Sequence, residues 1–326
     1  MKLAPALSRA QLACCARDKA AEAIRAGRER GATTCPCFRP TSSIRYDARS
    51  FRLVNNCHVS LNTLAGRITA TLILGAFQRS ALADHTWTVG GAELVWRRSG
   101  WYLHLTQSRP APPLRHTTGA IGADLGIVNL CTTDDGTVFT GATVQRVRTK
   151  RHRQRQRLQT RGTRNAKRRL RKVAGKERRF QTDVNHCISK ALVQKAVDEG
   201  KALRLEDLTH IRQRTAATVR PSQRRSHSRW AFRQLRTGVT YKAQQAGVPL
   251  ILVDPRITSR RCFACGYTDK ANRPNQATFH CQNPACGHSD AADVNAAKNI
   301  AYWAVVSQPI APVLRDETQA RRFSGG

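Results

Sequence analysis

Four cysteines fall in two pairs, Cys262-x2-Cys265 and Cys281-x4-Cys286, with fifteen residues between the pairs. Gly266 and Gly287 follow the two knuckles, where the chain must turn tightly around an ion. Four thiolates at this spacing close a tetrahedral structural zinc site and leave no coordination position open for catalysis. A segment this short has no core of its own, so bound metal would supply much of its folding energy. His280 and His288 flank the second knuckle; either could replace a cysteine, and the reading preferred is surface histidines. The chain has eleven cysteines, an odd number that argues against a disulfide framework. Cys14-Cys15 and Cys35-x-Cys37 have no matching pair elsewhere and read as ordinary thiols.

Composition narrows the partner. The 326 residues include 56 Lys and Arg against 21 Asp and Glu, a formal charge of +35, which points to a polyanion. A lipid bilayer is disfavoured, because the longest apolar run, Ile68 to Phe77, is far shorter than the roughly 20 residues a spanning helix needs. The apolar stretch after Lys2 is interrupted at Arg9, Arg17 and Asp18, so it lacks a secretory pattern and the reading is cytoplasmic, in association with the nucleoid. With 40% hydrophobic residues the chain can bury substantial cores. Nothing in it specifies an oligomeric state.

The pattern changes several times along the chain. Residues 1–40 read as a basic helical segment, with the helix from Leu12 to Arg30. Residues 41–115 read as a β-rich module with short alternating segments and a Ser99-Gly100 turn, closed by the stiff Arg109-Pro-Ala-Pro-Pro113. From 116 to 256 the signals alternate. Gly119–Asp124, Ile127–Thr133 and Thr137–Thr140 predict an antiparallel meander, and an Arg-rich run from Val144 to Arg179 leads into a helix. Strands are then predicted at Ala202–Glu206 and Val248–Asp254, on either side of a helix from about Ala231 to Gln245. The cysteine segment spans 257–289, a helix opening at Asp293 spans 290–306, and the tail 307–326 reads as polar, Pro-broken and poorly ordered.

Three acids stand out in this order. Asp124 ends an apolar strand, Glu206 ends a later one, and Asp293 opens the last helix. Parallel neighbours in a sheet present their strand ends at one edge, which would gather the three carboxylates. Hard oxygen ligands of this kind suit Mg²⁺, one or two ions, and a pair of such ions serves phosphodiester hydrolysis. The plain alternative is three surface acids paired with arginines. Asp207, next to Glu206, competes for the inward position, because the alternation could slip by one.

The motifs GADLGIVNLCTTDDG, LRLEDL and CFACG…FHCQNPACGHSDAADVNAAKNIA, in this order, resemble the TnpB proteins of insertion sequences, relatives of type V CRISPR effectors. The likeness covers about residues 40 to 305, and the zinc ribbon running into Asp-x-Asn is its most specific part. The resemblance implies an α/β protein: an RNase H-like (RuvC) nuclease core, an N-terminal β-barrel-like wedge that grips RNA, and an inserted zinc ribbon. It implies Asp124, Glu206 and Asp293 as catalytic, Mg²⁺-holding residues; Asp293 is preferred over Asp290 because it stands in the Asp-x-Asn register. It implies an RNA-guided DNA endonuclease, associated with transposition, whose partners are a guide RNA and target DNA. Relative to the family, the N-terminus reads as shortened, because a single basic helix precedes the first β segment. That keeps open a catalytically idle, RNA-guided DNA-binding regulator, or a basic zinc-ribbon protein of a ribonucleoprotein in which the acids are coincidental.

The run Arg146 to Arg179 is expected to bind phosphates without reading bases, with Arg224, Arg225, Arg229 and Trp230 adding backbone contacts. Most of Trp87, Trp96, Trp101 and Tyr102 are expected in the core of the β module. His186 reads as a helix-packing residue.

Overall fold

The computed structural model describes residues 5–97, 100–208, 232–302 and 306–310. The Ser99-Gly100 turn is described only at Gly100, and Arg224, Arg225, Arg229 and Trp230 lie outside the described residues. The chain divides into two compact units, Met1–Pro110 and Ala111–Gly326. No helix among the described residues is long and apolar enough to cross a membrane.

The first unit opens with α1 (Pro5–Glu29) and carries two three-stranded antiparallel sheets. Strands β1 (Ile44–Tyr46), β2 (Phe51–Asn55), β3 (His58–Thr63) and β4 (Gly66–Thr71) precede α2 (Ala76–Ala83), and β5 (Thr88–Arg97) and β6 (Gly100–Ser108) follow. The sheet orders are β1-β5-β6 and β2-β3-β4. Helix α2 was not anticipated in the β region. Alternation along the strands sends Tyr46, Phe51, Val59, Leu61 and Ala92 into one core shared by both sheets. Helix α1, set apart at residue 40 in the sequence reading, sends Leu12 into that core, and Lys19 reaches Glu93 at 2.9 Å.

The aromatic expectation is corrected here. Trp96, Trp101 and Tyr102 are exposed, with Trp101 54% accessible. Trp96 and Trp101 pair across the last registers of the β5–β6 hairpin, past Leu94 and Leu103, which pack the core, so the second sheet does not cover them.

The second unit is a three-layer α/β arrangement around a six-stranded sheet. Its strands are β7 (Ala120–Asp124), β8 (Asn129–Thr133), β9 (Val138–Thr140), β10 (Ala202–Glu206) and β11 (Leu250–Val253). Strands β12 (Thr278–His280) and β13 (Ser289–Ala291) form a separate hairpin in the cysteine segment, and β14 (Val306–Ile310) returns to the edge of the large sheet. The large sheet has the order β14-β11-β10-β7-β8-β9, with β7, β10 and β11 parallel. The β14 strand corrects the expectation of an irregular tail from residue 307: it pairs antiparallel with β11. Open backbone groups on an edge strand can recruit a polar, Pro-containing segment without needing its side chains.

The helices of this unit are α3 (Ala142–Arg161), α4 (Arg164–Asp198), α5 (Phe232–Ala246) and α6 (Ala292–Tyr302). The basic run breaks between α3 and α4, where Gly162 adopts φ +62° and the Thr163 hydroxyl caps α4 by accepting from the Ala166 N–H. Ile188 and Leu192 of α4 and Leu235 and Val239 of α5 pack with Ile121, Ala123, Leu203 and Leu205 on one sheet face. Because a strand alternates, Gly122 and Asp124 of β7, and Arg204 and Glu206 of β10, face the opposite side. That side receives α6. A Cβ on Gly122 would lie 2.1 Å from the carbonyl oxygen of Ala297, so the helix rests directly on strand backbone.

Candidate active site

Parallel pairing sets Leu205 opposite Ala123, which puts Glu206 level with Asp124 at the ends of adjacent strands. Asp293 lies in the first turn of α6, the helix packed over β7. Each of the three is only partly accessible. Asp124 feels both partners: burial above all, then the charges of Glu206 and Asp293, push its carboxyl well above the usual carboxylate range. Arg273 and the N–H of Leu125 oppose that shift without cancelling it. Burial also raises Glu206, helped by Asp254, against a hydrogen bond from Thr258 and the charge of Arg273.

The competing acids point elsewhere. Asp207 pairs with Arg236 of α5 at 2.8 Å, and Asp290 pairs with Lys298 at 2.7 Å. Single-residue alternation therefore separates Glu206 from Asp207, as a pleated strand requires.

Three further residues complete the cluster, and sequence reasoning missed them. The Thr258 hydroxyl donates to Glu206 Oε1 at 2.6 Å. Asn129 Nδ2 donates to Asp293 Oδ2 at 2.9 Å, and Arg273 donates to Asp293 Oδ1 at 3.1 Å. Arg273 is one of 56 basic residues, and only its position in the cysteine segment, beside these carboxylates, distinguishes it. The signal that could have found Asn129 is its polarity in an otherwise apolar Ile-Val-Asn-Leu stretch.

The cysteine segment holds the other cluster. The four thiols of Cys262, Cys265, Cys281 and Cys286 all lie within 4.8 Å of one another, the one such His, Cys, Asp or Glu group among the described residues. The sulfurs of Cys262 and Cys286 are 3.8 Å apart and those of Cys265 and Cys281 are 3.6 Å apart. A tetrahedral zinc with bonds of ~2.3 Å to sulfur needs edges of about 3.8 Å, so the donor set fits zinc. The Tyr267 N–H directed at Cys265 lowers that thiol to about 7, toward the thiolate a metal requires. His280 is exposed, and His288 packs against Phe279, so neither enters the set.

The segment is tied to α6 by two asparagines one turn apart. Asn295 accepts from the Phe263 N–H at 3.1 Å and donates to the Arg261 carbonyl at 2.9 Å. Asn299 donates to the carbonyls of Thr258 and Arg261 at 2.9 and 2.7 Å. The Asp-x-Asn pattern thus places Asp293 at the sheet edge while its neighbours on the same helix clasp the first knuckle. His186 is exposed on α4, 3.4 Å from the Tyr241 hydroxyl and away from these clusters.

Residues 103–212 match the sequence model of a family described as "Probable transposase", OrfB_IS605, and residues 232–300 match the TNB domain of the Cas12f1-like family. The first carries Asp124 and Glu206, and the second carries the four cysteines and Asp293. The chain is similar to TnpB-like proteins over these segments. Among curated relatives, a "Putative RNA-guided DNA endonuclease InsQ" of Escherichia coli is 30% identical over 219 residues, 61% of this chain and 53% of that protein. A CRISPR-associated endodeoxyribonuclease Cas12f1 of Sulfoacidibacillus thermotolerans is 39% identical over 123 residues, 37% of this chain and 27% of that protein. A TnpB-like protein of Methanocaldococcus jannaschii is 33% identical over 114 residues, 35% of this chain and 40% of that protein. The chain spans at most about half the length of these relatives. A solved Cas12f1 complex with guide RNA and target DNA shares the fold, with a TM-score of 0.55 at 14% identity over 79% of this chain and 58% of that chain.

Removing metal from the thiol cluster tests its structural weight. The segment's buried apolar core is only Cys262, Phe279, Cys281 and Ala292. Stripping zinc with a strong chelator is expected to abolish amide-exchange protection across 258–291 while β7 and β10 stay protected. Unchanged protection in 258–291 would show that the thiols fold without metal.

Proposed function

We propose that this chain is an RNA-guided DNA endonuclease of the TnpB type, associated with an insertion sequence and acting inside the bacterial cell. The observation that carries the reading is the convergence of Asp124, Glu206 and Asp293 from two parallel strand ends and a helix N-terminus. Their donor set is all carboxylate oxygen, half-buried and mutually repelling, which suits Mg²⁺ in one or two ions. Bound Mg²⁺ supplies an activated water and charge neutralisation for phosphodiester hydrolysis.

The chain's own residues arrange the rest. Thr258 fixes one oxygen of Glu206, and Asn129 fixes one oxygen of Asp293. Arg273 keeps a permanent cation beside the carboxylates, where negative charge develops on a phosphate under attack. Zinc held by Cys262, Cys265, Cys281 and Cys286 stabilises the ribbon, 257–289, that carries Arg273. In this reading 116–256 and 290–306 form the RuvC core, and the two sheets within 41–115 form a barrel-like wedge that grips guide RNA. The names of the relatives, RNA-guided and CRISPR-associated nucleases, support the partners: a guide RNA and a target DNA.

The test is direct. The protein is purified with co-expressed RNA, supplied with Mg²⁺ and a matched DNA target, and compared with Glu206→Gln, which keeps an acceptor for Thr258. Wild type should cut, and the variant should bind the target without cutting. If both bind in a guide-dependent way and neither cuts, the nuclease reading is lost.

A further inference from the structure

A carboxylate that holds a cation through one oxygen needs a donor to fix the other, and two acids of the cluster have such a side chain. Thr258 donates to Glu206 at 2.6 Å, and Asn129 donates to Asp293 at 2.9 Å. Asp124 accepts the backbone N–H of Leu125, and no side chain among the described residues is hydrogen-bonded to it.

Its neighbour across the ladder is a hydroxyl. In the β7–β8 pairing Asp124 stands opposite Thr132. Directly opposed residues of an antiparallel pair project to the same side, with Cβ atoms about 4.5–5.5 Å apart. Thr132 therefore shares the face of Asp124, over which α6 packs against both β7 and β8. Thr132 is 1% exposed, and its Oγ1 has no hydrogen-bond partner among the described residues. The next residue makes the contrast. Thr133 is equally buried, but it faces the other way and its hydroxyl donates to Asp135.

A buried hydroxyl without a partner is costly, and valine would fill nearly the same volume without that cost. The Thr132 hydroxyl is thus explained only if it gains a partner in another state of the site, and Asp124 is the polar group placed to become one. At their Cβ spacing, rotation about χ1 brings a threonine Oγ1 and an aspartate Oδ within hydrogen-bond reach while the backbone stays still. Cation binding favours that rotation. A carboxylate kept ionised by a bound cation accepts hydrogen bonds roughly twice as strong as those between neutral groups.

We propose that Thr132 is a positioning residue for Asp124: when a divalent cation occupies the cluster, the Thr132 hydroxyl donates to the Asp124 carboxylate and fixes it, as Thr258 fixes Glu206 and Asn129 fixes Asp293. Two of the three donors, Asn129 and Thr132, stand on β8, so this strand is the template on which acids carried by β7 and α6 are set. Hydrogen bonds behind a metal ligand orient it and change metal affinity by ~10–100-fold. The inference rests on the metal-binding reading of the cluster given above and does not require cleavage.

The experiment uses the full chain, zinc-loaded and freed of RNA at high salt, with Mn²⁺ as the probe. Mn²⁺ takes the same oxygen ligands as Mg²⁺, and its free concentration is read by paramagnetic resonance. Wild type, Thr132→Val, Thr132→Ser and Asp124→Asn are each titrated with Mn²⁺ and melted without it. Thr132→Val should melt no lower than wild type, since it removes an unpartnered hydroxyl, and should bind Mn²⁺ at least ~10-fold more weakly. Thr132→Ser keeps the hydroxyl but loses a buried methyl, so it should melt lower and hold Mn²⁺ to within about threefold of wild type. Metal affinity and stability then move in opposite directions in the two variants, which a purely structural threonine would not produce. Undiminished Mn²⁺ affinity in Thr132→Val, or an equal loss in Thr132→Ser, overturns the proposal. So does a Thr132→Val protein that melts below wild type, because its hydroxyl would then be partnered without the cation. Asp124→Asn should lose the Mn²⁺ site. If it does so while Thr132→Val keeps the site, only the role of Thr132 falls; if Asp124→Asn binds as wild type does, the metal reading falls and the role of Thr132 with it.

Discussion

Asp124→Asn is expected to abolish cleavage and, in zinc-loaded protein without Mg²⁺, to raise the melting temperature at neutral pH. Both effects follow from one placement. Burial and the negative charges of Glu206 and Asp293 hold the folded-state pKa of Asp124 well above its unfolded value. A carboxyl shifted in that direction favours the folded state while it is protonated, and the advantage is lost as pH rises through the folded pKa. At neutral pH, where the unfolded carboxyl is ionised, folding of the wild-type chain must either bury that charge or bind a proton, a cost that Asn removes while keeping nearly the same shape. The stability difference should shrink as pH falls and vanish only below about 4, the ordinary aspartate value, where the wild-type carboxyl becomes protonated in the unfolded state as well. Added Mg²⁺ should stabilise the wild type and leave the variant nearly unmoved. Cleavage should fall by about a thousandfold or more, ~4 kcal/mol of barrier. A variant that melts lower than wild type at pH 7 without Mg²⁺ would show that the three acids do not repel as the geometry requires.

The second large effect is expected at Gly122→Ala. A Cβ there meets the Ala297 carbonyl oxygen at 2.1 Å and the Ala301 nitrogen at 2.5 Å, both backbone atoms of α6. Neither side can yield by rotating a side chain, so helix and strand must separate. Overpacking of this kind costs about 3 kcal/mol, enough to lower the melting temperature of a unit this size by about 10 °C. Because Asp293 rides on α6 and Asp124 lies two residues from Gly122 on the same face, cleavage should fall as well, even at temperatures where the protein stays folded. Gly119→Ala is the control, since a Cβ there meets nothing within 4 Å. Equal melting temperatures for the two variants would mean that α6 does not bear on β7.

Periodicity and punctuation in the sequence located most of the elements. The strand ending at Glu206 was read with its observed bounds, because Gly200 and the acidic end punctuate a short apolar run. The meander and the helix before β11 were read to within a few residues. The break between α3 and α4 was passed over, since seventeen basic residues mask the apolar rhythm and a single Gly-Thr pair carries the signal. Helix α2 and strand β14 were missed because short, mixed segments are defined by what they pair with.

The chain's linear order determined which residues are candidates. Cysteine spacing alone specified a four-thiol cluster, because a closed loop with Gly after each knuckle brings sulfurs together whatever surrounds it. Composition alone, with its charge of +35, pointed toward a polyanionic partner. Asp124 and Glu206 stood out by ending apolar runs and Asp293 by opening the last helix, with Asp207 and Asp290 left beside them as competitors in one dimension. Only tertiary structure separates them in space: the parallel register of β7 and β10, and the seating of α6 on Gly122, turn Asp124, Glu206 and Asp293 to one face while Arg236 and Lys298 pair with the others. Tertiary structure alone also produced Arg273, Thr258 and Asn129 as partners, since a hydrogen bond across dozens of residues leaves no periodic trace in sequence.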